Sequence, residues 1–213
     1  MKEHLIHRYS ENEERLNIVT HGLGLMLSII AFPFLIIKSL SFSGFWKPAS
    51  LIIYGISLIV LYAASTFYHA ANEARLRRKL NILDHAAIYV LIAGTYTPFT
   101  MIVLEGTIGW ILFGLTWLFA TTGIILKLFY TGKFDKLSTI IYVLMGWQIV
   151  FAIKPLMENF SSIGLQLLFA GGIFYTIGAL LYSIKKLPYN HAIFHVFVVL
   201  GSLSHFLSVY YCI

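Results

Sequence analysis

The sequence has little charge and only one cysteine. Charged residues make up 11% of its 213 positions, whereas a soluble domain usually has about a quarter. Because Cys212 is the single cysteine, neither an intramolecular disulfide nor a cluster of thiolate metal ligands can form within the chain. Any metal site must therefore use nitrogen and oxygen ligands.

Apolar residues account for 59% of the chain and occur in long runs between short charged segments. A bilayer core needs about 20 apolar residues per helix, so seven such runs would use nearly the whole length. No room remains for a soluble domain. We predict an all-α polytopic membrane protein, a seven-transmembrane helix bundle. The predicted spans are 18–37, 49–71, 82–104, 109–129, 137–153, 163–184 and 190–212.

The fifth predicted span is the shortest, because Lys136 and Lys154 bracket only about 17 residues. A bundle of six spans is the open alternative. Twelve of the 15 Lys and Arg residues, all except Lys38, Lys47 and Lys154, would lie on one side of a seven-span bundle. Since cytoplasmic loops retain positive charge, this predicts a cytoplasmic N-terminus and an outside C-terminus. The net charge of +6 then reflects topology, and we predict no nucleic-acid partner.

The first 17 residues mix acidic and basic side chains before the first apolar run. They contain no convincing signal-peptide cleavage site, so we expect the first span to be retained. We interpret residues 1–17 as a cytoplasmic tail and residues 18–213 as a single transmembrane domain.

Three predicted spans carry polar side chains near one end. Ser65 and His69 are four residues apart at the end of the second span, and His191 and His195 repeat that spacing at the start of the seventh. Asp84 lies near the start of the third span. The predicted topology brings all of them to the cytoplasmic side, within roughly 8 Å of a helix end. Polar groups inside a bilayer are costly, so such side chains normally face the bundle interior and have partners.

Three imidazoles with an open fourth position form a known ligand set for catalytic zinc, which lowers the pKa of bound water to about 7. Asp84 would suit a supporting partner or a general base, and Ser65 could hydrogen-bond water or a substrate oxygen. In the competing interpretation the histidines sit separately at headgroup level, and Asp84 merely caps the third helix.

Other histidines are weaker candidates. His85 points about 100° away from Asp84 around the helix, which favours a packing or interfacial role. His205 lies 14 residues beyond His191, about 21 Å deeper, so it cannot share the same metal. We expect it to line a cavity or to hydrogen-bond locally. His21 enters the first span on the cytoplasmic side and could support the metal ligands.

Four segments carry a resemblance to a known family: STFYH at 65–69, LDH at 83–85, GTYTPF at 94–99 and HAIFH at 191–195. With them, the chain resembles the hemolysin III family, the bacterial branch of the progestin and adipoQ receptor family of seven-span membrane proteins. The resemblance extends over essentially the whole chain after the N-terminal tail. It implies a multi-pass protein of the bacterial plasma membrane.

The resemblance also implies a zinc ion held by His69, His191 and His195, with Asp84 and Ser65 around its bound water. Receptor members of the family are similar to ceramidases and are thought to hydrolyse lipid amides, whereas bacterial members are named for haemolytic activity. Membrane lipid is the implied partner. This chain lacks the long N-terminal region of the animal receptors, so a hormone-receptor function is not carried over.

Three functions stay open from the sequence. The first is a zinc-dependent intramembrane hydrolase of a lipid-like amide or ester. The second is a non-enzymatic protein, associated with cytolysis or regulating the membrane, in which zinc is structural. The third is a proton or ion pathway through Asp84 and the histidines. It is less favoured because a relay needs titratable groups across the membrane, whereas these gather at one side and only His205 lies deep.

Overall fold

The computed structural model of the protein describes residues 8–130 and 135–213, and all regular secondary structure within those ranges is helical. Within these two ranges, seven segments are long and apolar enough to cross a membrane, which confirms the predicted fold class. They are Glu11–Ser39 (α1), Trp46–Ala70 (α2), Ala74–Val103, Thr107–Tyr130 (α4), Leu137–Asn159, Ser162–Ser183 (α7) and Asn190–Cys212 (α8). The orientation of the termini remains a prediction from charge.

Helix α1 begins seven residues before the predicted first span. Ser10 caps it by accepting a hydrogen bond from the backbone N–H of Glu13, and three glutamates in the first turn suit the positive end of the helix dipole. Residues 11–17, which we assigned to the tail, are therefore helical, while residues 1–7 lie outside the described part of the chain. The helix begins before the predicted span because hydropathy locates the apolar part of a helix, not its capped end.

The third span consists of α3 (Ala74–Pro98) and a π-helical turn, Phe99–Val103. In this turn the Leu104 N–H donates to the Phe99 carbonyl at 2.9 Å. Proline cannot donate a backbone hydrogen bond, and the wider turn directly follows it. At Pro98 the helix thus changes its type locally and does not end.

The fifth span extends to Asn159, six residues beyond its predicted end. It consists of α5 (Asp135–Gly146) from Leu137 onward, a 3-10 segment (Gln148–Ala152) and α6 (Ile153–Asn159). Tyr96 stabilises the break, since its hydroxyl donates to the Gly146 carbonyl at 2.9 Å and accepts from the Ile149 N–H at 2.8 Å. Lys154 is exposed, so its long side chain does not end the span as we had assumed.

The bundle packs around α3, which is the most buried of the seven spans. Helix α2 packs against α1 and α3, and α8 packs against α7 and α1. Tyr54, Leu58 and Tyr62 of α2 join Leu91 of α3 and Val198 of α8 in one apolar core. This arrangement places the C-terminal end of α2 beside the first turns of α1 and α8.

The contact between α1 and α2 depends on Gly24, where an added Cβ would overlap the buried Tyr62 ring. We expect Gly24→Ala to destabilise the folded protein by about 1–3 kcal/mol, because overpacking displaces neighbouring groups. Gly22→Ala is the matched control, since its Cβ would meet only Thr66 at 3.9 Å. Thermal unfolding in detergent should rank the two variants, and equal melting temperatures would contradict the predicted close contact.

Candidate metal centre

The three predicted histidine ligands converge on one point. His69 ends α2, His191 and His195 lie in the first turns of α8, and one nitrogen from each ring lies within 4.8 Å of the others. All three side chains are buried, and His69 Nε2 is 3.1 Å from His191 Nε2. In a tetrahedral zinc site with Zn–N distances of about 2.0–2.1 Å, two ligand nitrogens lie about 3.3 Å apart. The observed 3.1 Å between the two Nε2 atoms is close to that value. The interpretation of separate interfacial histidines is therefore wrong.

Glu14 of α1 lies behind His69. One oxygen of its carboxylate accepts a hydrogen bond from His69 Nδ1 at 2.6 Å, and the other pairs with the Arg77 guanidinium. Because a carboxylate accepts, His69 carries its proton on Nδ1 and presents the lone pair of Nε2 to His191. A carboxylate behind a histidine ligand is a common arrangement in metal sites, where it orients the ring and strengthens the ligand.

Arg77 connects this carboxylate to the end of α2. Its guanidinium is 3% exposed and donates to the backbone carbonyls of Tyr68, His69 and Ala71 at 3.2–3.3 Å. The last carbonyls of a helix have no partners within the helix, so these bonds fix the segment that carries His69. Arg77, which we had counted only as a topology signal, thus helps to position a candidate ligand.

Helix α1 also contacts the rings of His195 and His69 directly. The backbone carbonyl of Asn17 and the hydroxyl of Thr20 each lie 3.4 Å from His195 Nδ1, and the Asn17 side-chain amide is 3.4 Å from His69 Nδ1. The His21 ring stacks on the His195 ring with centroids 3.4 Å apart. Residues 14, 17 and 21 share one helical face, since they are three and then four positions apart.

Glu14 and Asn17 were overlooked in the sequence because the predicted membrane domain began at Ile18. The signal was present as polar residues with helical spacing that led directly into the buried His21. Periodicity across the assumed boundary would have predicted a polar face on α1.

Tyr9 covers His191 from the segment before α1. Its ring stacks on His191 with centroids 4.6 Å apart and planes at 17°. Burial, followed by the neighbouring Tyr182 hydroxyl, raises the pKa of Tyr9, so its own hydroxyl stays neutral. Arg8 holds the segment by donating to the Asn72 carbonyl at 2.8 Å.

A cavity of about 180 Å³ opens beside the histidines, between α2, α3, α5, α7 and α8. Ser65 and Asp84, the predicted catalytic pair, both line it together with His191 and His195. Within the described residues, the buried Ser65 hydroxyl has no hydrogen-bond partner. The walls further in are mainly apolar, and include Leu61, Ile88, Leu91, Ile92, Val143, Phe194 and Val198.

The remaining histidines behave differently. His85 also lines the cavity, but its Nδ1 donates to the Asn81 carbonyl at 2.8 Å, in keeping with a packing role. His205 lies at the deep end, where it lines the cavity and donates from Nε2 to the Leu168 carbonyl at 3.0 Å. His205 thus lines a cavity, which was one of the two expectations for it, and its hydrogen bond reaches the neighbouring helix α7.

Comparison with known proteins gives one consistent result. The model of a family described as "Haemolysin-III related" matches residues 9–206. The chain is 44% identical to the "Hemolysin-3 homolog" of Bacillus subtilis, covering 96% of this chain and 97% of that protein. It is 46% identical to "Hemolysin-3" of Bacillus cereus, covering 92% and 90%.

More distantly, the chain is 28% identical to the human "Monocyte to macrophage differentiation factor", covering 78% of this chain and 71% of that protein. No solved structure matches it. The region matched by the family model, residues 9–206, includes every side chain of the candidate metal centre, from Glu14 to His195.

Proposed function

The chain belongs to the haemolysin-III related family of membrane proteins, and we propose that it is a zinc-dependent hydrolase of a lipid-like amide or ester. The proposal rests on one observation: two of the three histidines able to hold a metal, His191 and His195, line a cavity that Asp84 and Ser65 also line.

The side chains present suit zinc. Three imidazoles leave a fourth position free, as in catalytic zinc sites, and the 3.1 Å separation of two ring nitrogens suits tetrahedral coordination. The carboxylate of Glu14 supplies the partner that a histidine ligand commonly has. When bound, zinc would polarise an acyl carbonyl and make water acidic enough to be a nucleophile near neutral pH.

Asp84 is the proposed general base and acid. Its carboxylate would accept a proton as the water oxygen bonds to the acyl carbon. It would return that proton to the leaving nitrogen or oxygen as the bond from the acyl carbon breaks, which yields a free acid and an amine or alcohol. The Ser65 hydroxyl, buried on the same cavity, would donate a hydrogen bond to a substrate oxygen.

The cavity favours a lipid-like substrate. Its walls are mostly apolar, and Ser65, Asp84, His191 and His195 are among its polar lining residues. Binding pockets of this composition use apolar surface for affinity and a few polar groups for orientation. A hydrocarbon chain therefore suits the inner part, with the scissile group beside Asp84.

The test uses purified full-length protein in lipid nanodiscs. Elemental analysis should find one zinc per chain, and mass spectrometry should detect the free acid released from an N-acyl sphingoid lipid and from an ester analogue. Removal of zinc by a chelator should stop the reaction, and added zinc should restore it. Protein that carries one zinc per chain yet releases no acid from either lipid would reject the hydrolase proposal.

A second candidate is a non-enzymatic, haemolysis-associated protein with structural zinc. The observation that favours it is that the candidate ligands come from different helices. A metal held by them would link α2 to α8, and Glu14 and Asn17 of α1 hydrogen-bond to His69 in the same cluster. Two Bacillus relatives carry the name hemolysin. Leakage from liposomes that is the same for wild type and His69→Ala, without any lipid hydrolysis, would favour a non-enzymatic role.

Glu14→Gln should weaken zinc affinity about 10–100-fold, because loss of the carboxylate partner lowers the basicity and order of His69. Competition with a fluorescent zinc chelator would measure this change. Glu11→Gln is the matched control, since Glu11 is 82% exposed on the same helix and pairs only with Arg15 among the described ion pairs. Equal zinc affinities for the two variants would contradict the proposed role of Glu14.

A further inference from the structure

A second polar site lies at the deep end of the cavity, far from the histidine ligands. His205 is 8% exposed, and its Nε2 donates to the Leu168 carbonyl. The proton is therefore on Nε2, which leaves Nδ1 as a hydrogen-bond acceptor. Within the described chain, this buried Nδ1 has no partner. An unpaired buried acceptor in a membrane span is costly and indicates a missing donor.

The packing of α7 sets the direction of this acceptor. An added Cβ at Gly171 would overlap Cδ2 and Nε2 of the His205 ring, so that edge of the ring lies directly against α7. Nδ1 is on the opposite edge. His205 lines the cavity, so we assign its Nδ1 edge, which is turned away from α7, to the cavity side of the ring.

Neighbouring hydroxyl groups do not supply the donor. Tyr62 donates to Ser202 at 2.8 Å, and the Tyr175 hydroxyl also lies 2.8 Å from Ser202. The Tyr175 and His205 ring centroids are 5.4 Å apart, and both side chains line the cavity. The deep end is thus a polar site with one acceptor available to a ligand.

We infer that His205 Nδ1 binds a hydroxyl group carried far along the hydrocarbon chain of the lipid ligand. The cavity reaches from His191 to His205, which are 14 residues apart on α8, or about 21 Å. With the acyl group at the histidine ligands, only a distal hydroxyl reaches His205. This inference rests on the proposed function in one respect: the lipid must bind with its acyl group beside His69, His191 and His195.

The test compares three free acids that the protein cannot cleave: hexadecanoic acid, α-hydroxyhexadecanoic acid and ω-hydroxyhexadecanoic acid. Each would displace a fluorescent fatty acid from full-length protein in nanodiscs. We expect the ω-hydroxy acid to bind about five- to tenfold more tightly than the other two, as one added buried hydrogen bond allows. Equal affinities for the three acids would overturn the inference.

Variants of His205 separate recognition from folding, because the readout is a ratio of affinities in one protein. His205→Phe keeps a ring but no acceptor, so the ω-hydroxy preference should disappear. His205→Asn places an oxygen acceptor near the position of Nδ1 and should retain part of the preference. A preference that persists unchanged in His205→Phe would also overturn the inference.

Two adjacent glycines provide a further matched pair. Gly171→Ala should reduce the preference by displacing the ring, whereas Gly172→Ala should retain it, since its Cβ would meet Trp147 no closer than 3.6 Å. None of these measurements involves turnover. Protein that prefers the ω-hydroxy acid but hydrolyses nothing would therefore reject the proposed hydrolase and support the deep site.

Discussion

Replacing His191 with alanine should remove stoichiometric zinc from the purified protein and reduce lipid hydrolysis to the uncatalysed background. His191 Nε2 lies 3.1 Å from His69 Nε2, so the variant would keep only two of the three converging imidazoles. Elemental analysis and release of free acid from the N-acyl lipid should fall together. Zinc at 100 times its dissociation constant stabilises a protein by about 2.7 kcal/mol, so a chelator should lower the melting temperature of wild type but not of His191→Ala.

Val196→Ala is the control for this variant. Val196 follows His195 on α8 but is 45% exposed on the outer surface, so it should keep both zinc and activity. A His191→Ala protein that retains one zinc per chain and the wild-type rate would show that the three histidines are not the functional metal site.

The sequence predicted the bundle and the convergence of the three histidines for the same reason. Long apolar runs are a strong signal because the bilayer sets their length, and a buried histidine is conspicuous within them. The spacing of His191 and His195 places both on one face of α8, and alternating topology brings His69 to the same end. Lateral adjacency could not follow from spacing, because it depends on how α1, α2 and α8 pack.

The surroundings of the candidate ligands were harder to predict. Glu14 and Arg77 look like ordinary interfacial charges in the sequence, and only the folded structure shows that they pair behind His69. Arg77 was counted as a topology signal, although its guanidinium is buried against the end of α2. A positive charge near a helix end therefore predicts orientation without indicating which polar groups it contacts.

The fifth span shows a different limit. Its helix changes type after Gly146, and the Tyr96 hydroxyl on α3 satisfies the backbone groups at the break. The length of the fifth span was predicted from the two lysines that flank its apolar run, Lys136 and Lys154. Lys154 instead lies within the span and is exposed. A hydrogen bond between two distant segments is not encoded in local hydropathy, so the irregular helix could not be predicted.

Replacing Asp84 with asparagine should leave zinc bound and reduce hydrolysis about 10²–10⁴-fold, because asparagine keeps the shape of the side chain but cannot accept the proton. Asp84 lines the cavity yet is not part of the converging histidine group. Zinc content and initial rates of acid release should be measured on the same preparation.

Glu105→Gln is the matched control, since Glu105 is a carboxylate that pairs with Lys47 beyond the other end of the third span. It should retain both zinc and activity. A structural role for zinc predicts instead that Asp84→Asn, with its metal retained, performs like wild type in every assay. Loss of zinc from Asp84→Asn would equally contradict the assignment, because a general base that does not hold the metal can be neutralised without releasing it.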